Sequence, residues 1–404
     1  MPKKITREVL QTATDLVVDH CQIEAAKIMG VSERTLRSYL IQARAEGVTS
    51  RKDSPEALKR TISTLKQQLK KAGEAEDSAA AIREEIYGLA AYSPEPPTWL
   101  KAPRNSKGNR GCPVALWSDW HYGEVVRPEE VGGVNEFNAE IAARRIEKLS
   151  AQIIELCFEH MGDAKIDYPG IVVGLGGDMI SGDIHEELLA TNDRTPFQAV
   201  NDLTDLLIAG LTRMADAFGK VYVPCVVGNH GRGTRKPRMK GRIFTSFEWN
   251  IYCALERYFR NDPRITFHIP EETDAYFSVY GHRFLLTHGD SLGVRGGDGI
   301  IGALGPIMRG SLKVARSESQ INREFDTILM GHWHQYITLP GLVVNNSLKG
   351  YDEFARLALR APYSRPSQAL WFVHPKHGIT AHWQVYLEEQ RNFTDEKKWV
   401  EVLK

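Results

Sequence analysis

Asp119-Trp120-His121-Tyr122-Gly123 comes just after the apolar run Val114–Trp117, and four further motifs repeat that arrangement. Gly177-Asp178 comes after Ile171–Leu175, and Gly228-Asn229-His230 after Val221–Val227. Thr287-His288-Gly289-Asp290 closes the run Phe284–Thr287, and Gly331-His332-Trp333-His334 follows Ile328–Met330. Together with Leu342–Val344, these short β-branched runs predict strands. They alternate with helical stretches, so the chain from Cys112 onward reads as an α/β domain. Active sites of layered α/β proteins sit at the C-terminal ends of strands, so the five motifs can converge on one edge.

The motifs supply seven candidate metal ligands: two carboxylates, one amide oxygen and four imidazoles. Mixed oxygen and nitrogen donors suit Mn²⁺, Fe or Zn²⁺ better than Ca²⁺, and the absence of cysteine argues against a structural zinc. The Asp-x-His and His-x-His spacings project two side chains the same way from an extended backbone, which suits two neighbouring metals.

Over most of residues 112–350 the ordered motifs resemble the calcineurin-like metallophosphoesterase superfamily. The Asp-x-His-x-Gly opening and Gly-His-x-His close look most like the nuclease subunit of double-strand-break repair complexes. The resemblance implies a β-sandwich flanked by helices that holds a dinuclear metal centre. One ion would take Asp119, His121 and His334, the other Asn229, His288 and His332, with Asp178 bridging. His230 would be the catalytic histidine that binds no metal. Leu342-Val343-Val344-Asn345-Asn346-Ser347 resembles the Asn-x-Ser strand after the last motif in related enzymes. Three features depart from the pattern. Ser181 stands where the phosphatases have an acidic residue and the repair nucleases a histidine. Gly231 replaces the acidic residue usual after Asn-His. The phosphatases' arginine pair has no clear equivalent, Arg232 and Arg235 matching by position alone.

Residues 1–47 have a helical pattern. In Gln22–Leu40, Ala26, Gly30, Val31, Leu36 and Tyr39 fall where two helices must touch, and Ser32 is a natural N-cap. This stretch resembles the helix-turn-helix of small bacterial DNA-binding proteins. Its second helix would offer Glu33, Arg34, Arg37, Ser38 and Gln42, with Arg44 further along, to phosphates and base edges. An ordinary helical hairpin is the plainer alternative. Over 48–92 the spacing of Leu58, Ile62, Leu65 and Leu69, resumed at Ile82, Ile86 and Leu89, predicts a helical stalk. The stalk either pairs into a homodimer or lies against its own catalytic domain. Pro94, Pro96, Pro97 and Pro103 make 93–111 a linker. The α/β domain then spans 112–390, and 391–404 is a tail.

Composition sets outer limits. The 404 residues carry 51 Lys+Arg against 51 Asp+Glu, so affinity for nucleic acid must be local rather than global. With 42% hydrophobic residues and a mean hydropathy of −0.34, a disordered or collagenous chain is excluded. No apolar run approaches the ~20 residues of a membrane helix, and the first residues lack a signal-peptide core. Cys21, Cys112, Cys157, Cys225 and Cys253 form no Cys-x-x-Cys pair and predict free buried thiols in a reducing cytoplasm. Local basicity does appear at Gly231–Arg242, where Arg232, Arg235, Lys236 and Arg238 follow His230 with no acidic residue between them. That segment predicts a DNA backbone contact, or else a solvated loop. His185 can line the substrate cleft or be a satisfied structural histidine, and is not counted as catalytic. Residues Gly293–Gly305 read as a lid or plain loop, His374, His377 and His382 as surface, and Trp371 and Phe372 as core.

The sequence therefore points to a two-metal DNA nuclease with a DNA-reading head. The alternatives are a phosphatase or phosphodiesterase for small nucleotides, and a DNA-binding protein with a relic metal site.

Overall fold

A computed structural model describes residues 5–48, 111–160, 168–293 and 303–389. The expected stalk beyond Val48, the linker up to Arg110, the tail and most of Gly293–Gly305 lie outside these residues. The chain divides into two compact units, Met1–Tyr92 and Ser93–Lys404.

The described part of the first unit holds three helices, α1 (Arg7–Asp19), α2 (Gln22–Ile28) and α3 (Glu33–Ala45). Ala13, Ala25, Ala26 and Leu36 make a small core, with Val31 and Tyr39 packed against it, as the spacing predicts. Ser32 caps α3, its hydroxyl accepting from the Thr35 N–H at 3.2 Å. The turn before it works because Gly30 adopts φ 64°, which a side chain would oppose. Arg34, Arg37, Ser38 and Arg44 are exposed, whereas Glu33 and Gln42 are half-buried rather than fully presented. Arg37 is also held by Glu33 at 2.8 Å and Gln22 at 3.3 Å.

The second unit contains two mixed sheets. The first is built from β1 (Cys112–Trp117), β2 (Ile171–Leu175), β3 (Val221–Pro224), β4 (Ile265–His268), β10 (Ser367–His374) and β11 (Gly378–Tyr386). Its order is β11-β10-β1-β2-β3-β4, with β1 to β4 parallel. The second consists of β5 (Ala275–Val279), β6 (His282–Leu286), β7 (Thr327–Met330), β8 (Ile337–Leu339) and β9 (Leu342–Val344). Its order is β5-β6-β7-β9-β8, with β6, β7 and β9 parallel. Val114, Leu116, Val172, Tyr222 and Trp371 from one sheet share a core with Phe277, Phe284, Leu286, Leu329 and Val343 from the other. Burying that apolar surface, at ~25 cal/mol per Å², is what holds the sheets face to face.

Helices α4 (Ala139–Glu155), α5 (Glu186–Thr191), α6 (Pro196–Phe218), α7 (Phe247–Tyr258) and α8 (Leu304–Ser319) complete the unit. Helix α6 packs on β3 and α4 on β11. Among the described residues, no helix is long and apolar enough to cross a membrane.

Three expectations need correction. The strand expected over Val221–Val227 stops at Pro224, because the Cys225 and Val226 N–H groups turn to His268 and Leu175 instead of extending one ladder. Gly305 belongs to α8, not to a loop. Four thiols are buried as expected, but Cys21 is exposed.

Candidate metal centre

Parallel strands explain why the motifs meet. Strands β1, β2 and β3 are neighbours pointing one way, and so are β6 and β7 in the other sheet. Every motif follows the C-terminal end of one of these five strands, so all five loops emerge at one edge of the shared core. The loops then cross between sheets. His288 reaches the Gly176 carbonyl with Nδ1 at 2.9 Å, and the His332 N–H donates to Asp119 Oδ1 at 2.7 Å. Gly331 permits the second approach, since a Cβ there would lie 2.2 Å from Asp119 Oδ2.

The donors converge tightly. Asp119, His121 and His334 form one group whose ligand atoms all lie within 4.8 Å of one another. Asp178, His288 and His332 form a second such group, and His121, Asp178 and His230 a third. Asn229 joins the second through its Oδ1, 3.1 Å from His288 Nε2, while Asp178 Oδ2 lies 3.0 Å from the same nitrogen. All seven predicted ligands and His230 are thus brought together.

Their chemistry fits divalent cations. His121 Nε2 and His334 Nε2 face each other at 3.0 Å, with Asp119 Oδ1 3.4 Å from the latter. Two imidazole nitrogens aimed at one point, beside a carboxylate, form a coordinating arrangement rather than a packed core. Burial, reinforced by Lys349 and the neighbouring imidazoles, holds His121 neutral far below its usual range. Burial and the adjacent His288 bring His332 down to about 4. Burial alone would depress His288 too, but the Asp178 carboxylate raises it to about 10, so a cation bound there displaces a proton.

The backbone is strained at the same place. Among the described residues, eight non-glycine residues adopt left-handed φ, and Asp119, His121, Asp178, His332 and His334 are five of them. Such conformations cost of order 1–3 kcal/mol each, persist only where the surrounding structure enforces them, and cluster at functional sites.

His230 differs from its neighbours in how it is held. Its N–H donates to Asp178 Oδ1 at 2.7 Å, and its Nδ1 lies 2.9 Å from the Ser181 carbonyl oxygen. Only a protonated Nδ1 can bond a carbonyl, which leaves Nε2 for the cluster. The Ser181 backbone therefore orients this ring, whatever side chain position 181 bears. Gly231 has an equally direct cause: a Cβ there would sit 2.6 Å from the buried Glu248 side chain. Glu248 accepts the N–H groups of Met179 and Gly228, both at 2.6 Å, and so ties together the loops bearing Asp178 and Asn229. Burial and the Asp178 charge raise its carboxyl to about 7.

Further supports surround the ligands, and of these the sequence singled out only Asn345 and Ser347. Ser118 bonds Asp119, Asn345 donates to Ser118 Oγ at 2.9 Å, and Ser347 Oγ donates to the Asp119 carbonyl at 2.9 Å. Gln368 accepts from the Ser118 N–H and Trp120 Nε1 at 2.9 and 3.1 Å. Beside His121, Glu124 Oε2 lies 3.5 Å from Nδ1, and its other oxygen accepts from the buried Lys349 at 2.7 Å. Lys349 also pairs with Asp352 at 2.5 Å. Burial would raise the Asp352 carboxyl, but Lys349 brings it down to about 2. Because that lies below its unfolded value of 3.8, this stabilisation is complete above ~pH 4 and is lost on acidification toward pH 2. Lys349→Met leaves two buried carboxylates unpaired and should cost roughly 3–5 kcal/mol, read as a lower denaturant midpoint at neutral pH.

Outside the cluster, Arg232 braces its own loop, with Nη1 2.7 Å from the Asn229 carbonyl and Nε 3.1 Å from that of Thr234. Arg235, Lys236 and Arg238 are exposed. His185 lines the cleft at the cluster, 6.2 Å from the His230 ring centre. Trp371 and Phe372 are core, His377 and His382 are exposed, and His374 is half-buried, stacked on His377 at 4.6 Å.

No protein-family model matches the chain, and neither does any protein of curated function. Among solved structures, a dimetal phosphatase from Danio rerio is similar at a TM-score of 0.31 and 12% identity, over 69% of this chain and 99% of that one. A likeness so distant says nothing of the reaction, which has to be argued from the cluster itself.

Proposed function

We propose that the chain is a dinuclear-metal phosphodiesterase that cleaves DNA and is brought to it by the N-terminal helices. The observation that carries the reading is the overlap of the donor groups, with Asp178 in two of them and His121 in two. In this reading one Mn²⁺ is held by Asp119, His121 and His334, the second by Asn229, His288 and His332, and Asp178 serves both. When bound, such a pair supplies Lewis acidity and charge neutralisation for in-line displacement at phosphorus. The chain's own residues do the rest. Asp178 and Asn229 are kept in register by Glu248, and Glu124 backs His121. His230, fixed through Nδ1, presents Nε2 to the leaving oxygen as the group that delivers its proton.

In the same reading, residues 1–47 are a helix-turn-helix whose Arg34, Arg37, Ser38 and Arg44 meet DNA. The stalk of 48–92 joins two heads in a homodimer, and Arg235, Lys236 and Arg238 hold the backbone near the site. A hydrolase of small nucleotides is the second reading. It is favoured by one observation: none of those three basic residues lines the cleft that opens from the cluster.

Purified protein with Mn²⁺, assayed on single- and double-stranded DNA beside a small diester and a monoester, separates the two. Activity confined to the small esters would reject the nuclease. Deleting residues 1–47 should weaken DNA binding at least tenfold and flatten its salt dependence, by about one unit of slope for each phosphate no longer bound. Hydrolysis of a small chromogenic diester should persist. Unchanged DNA affinity would assign the head to assembly instead.

A further inference from the structure

A cleft of about 920 Å³ opens from His121, Asp178, His230, His332 and His334 and runs along the segment between β9 and β10. Its far wall is aromatic. Tyr351, Phe354 and Tyr363 come from that segment, Tyr336 from just before β8, and Tyr386 from the end of β11. Tyr336 packs against the core, but the core does not account for Phe354 and Tyr363, which are 64% and 39% exposed. Tyr351, Tyr363 and Tyr386 are also tied to neighbours. The Tyr351 hydroxyl donates to the Ala361 carbonyl at 3.2 Å, and its ring meets that of Tyr363 edge-on, with centres 5.9 Å apart. The Arg365 guanidinium carbon lies over Tyr386, 3.7 Å from the ring centre.

The same wall is poorly made for a polyanion. Lys349 is neutralised by Glu124 and Asp352, and Glu130, Glu187 and Glu353 outnumber the arginines that line the cleft, Arg127 and Arg365. Flat, exposed rings on a wall of balanced or negative charge attract a π-face rather than a run of phosphates. The size suits one nucleotide-scale ligand, since pockets of ~300–1,000 Å³ bury ligands of that order.

We infer that this cleft is a subsite for an unpaired nucleobase, stacked on Phe354 and Tyr363 while its phosphate lies at the histidine–aspartate cluster. The inference rests on the phosphoesterase reading above and deepens it. Paired bases in a duplex offer no free face, so the nucleotide at the scissile phosphate is single-stranded, frayed from an end, or a free nucleotide ester.

The test compares two esters with the same leaving group in Mn²⁺: thymidine 5′-(p-nitrophenyl phosphate) and methyl p-nitrophenyl phosphate. Stacking is worth ~1–3 kcal/mol per base, a factor of about 5 to 150. In the double variant Phe354→Ala, Tyr363→Leu, KM for the thymidine ester should therefore rise about tenfold or more relative to the methyl ester. The ring-preserving pair Phe354→Tyr, Tyr363→Phe should restore the wild-type ratio. An unchanged ratio in the first variant, or an equal shift in the ring-preserving one, overturns the subsite. If wild-type protein hydrolyses neither ester, the phosphoesterase reading falls. Calorimetry with adenosine 5′-monophosphate and ribose 5-phosphate then decides the subsite alone. A preference for the base-bearing ligand that the double variant loses supports it, and equal affinities overturn it.

Discussion

Asp178→Asn should reduce hydrolysis by at least ~10³-fold, well beyond the ~10–100-fold that losing an outer partner of a metal ligand costs. Asp178 is central to the cluster in three ways. It belongs to two of the donor groups, accepts the His230 N–H at 2.7 Å, and lies 3.0 Å from His288 Nε2. An amide keeps the shape but removes the charge, so it weakens attraction for both proposed ions together. It also removes what holds His288 protonated at about 10, so that imidazole should titrate at lower pH in the variant. Elemental analysis should find less than one equivalent of bound metal, and thorough chelation of the wild type should reproduce the loss. A metal-free sample that retains full activity would sink the two-metal reading. So would an Asp178→Asn protein with normal metal content and normal rate.

How the cluster could be anticipated is instructive. Each motif lies next to an apolar run, and a strand's end fixes the start of its loop, so Asp119, Asp178, Asn229, His288 and His332 were legible from order and spacing alone. Their backing was mostly not: Asn345 and Ser347 were singled out by resemblance, but not what they hold. Gln368 meets Ser118 across 250 positions, and Asn345 does so across 227, separations at which no local period operates. Strand β10 begins with buried Ser367 and Gln368, polar residues that blur a strand signal until their partners are known. Glu248 sits inside helix α7, where sequence reads an acidic first-turn residue suited to the helix dipole. Its bonds to Met179 and Gly228 exist only because this helix meets two loops. Left-handed φ at Asp119, His121 and Asp178 is likewise imposed by tertiary context, since even Asp and His, which tolerate it better than most, adopt it only occasionally. The departures at Ser181 and Gly231 concern side chains, yet the structure orients His230 with a backbone carbonyl and fills the neighbouring space with Glu248.

His230→Asn should lower kcat by ~10²–10⁴ on a DNA diester, the usual contribution of a positioned proton donor. Asparagine can still reach the Ser181 carbonyl through its amide, so the loop should keep its form while the donor at Nε2 is lost. Metal content is the decisive second readout, because His230 falls within a donor group with His121 and Asp178. Retention of both ions assigns His230 to proton transfer, and loss of one equivalent makes it a ligand. Substrate choice tests the role further: a nitrophenolate leaves without a proton, so its loss should be far smaller. The pH profile carries a sign as well. Burial lowers the His230 pKa, against the opposing pull of the Asp178 charge, so the protonated acid is the minor form at neutral pH. Hydrolysis of the DNA diester should therefore fall as pH rises through that lowered value, and the limb should vanish in His230→Asn. Equal losses on both substrates, with no limb to remove, would mean that His230 steadies charge on the phosphoryl oxygens instead.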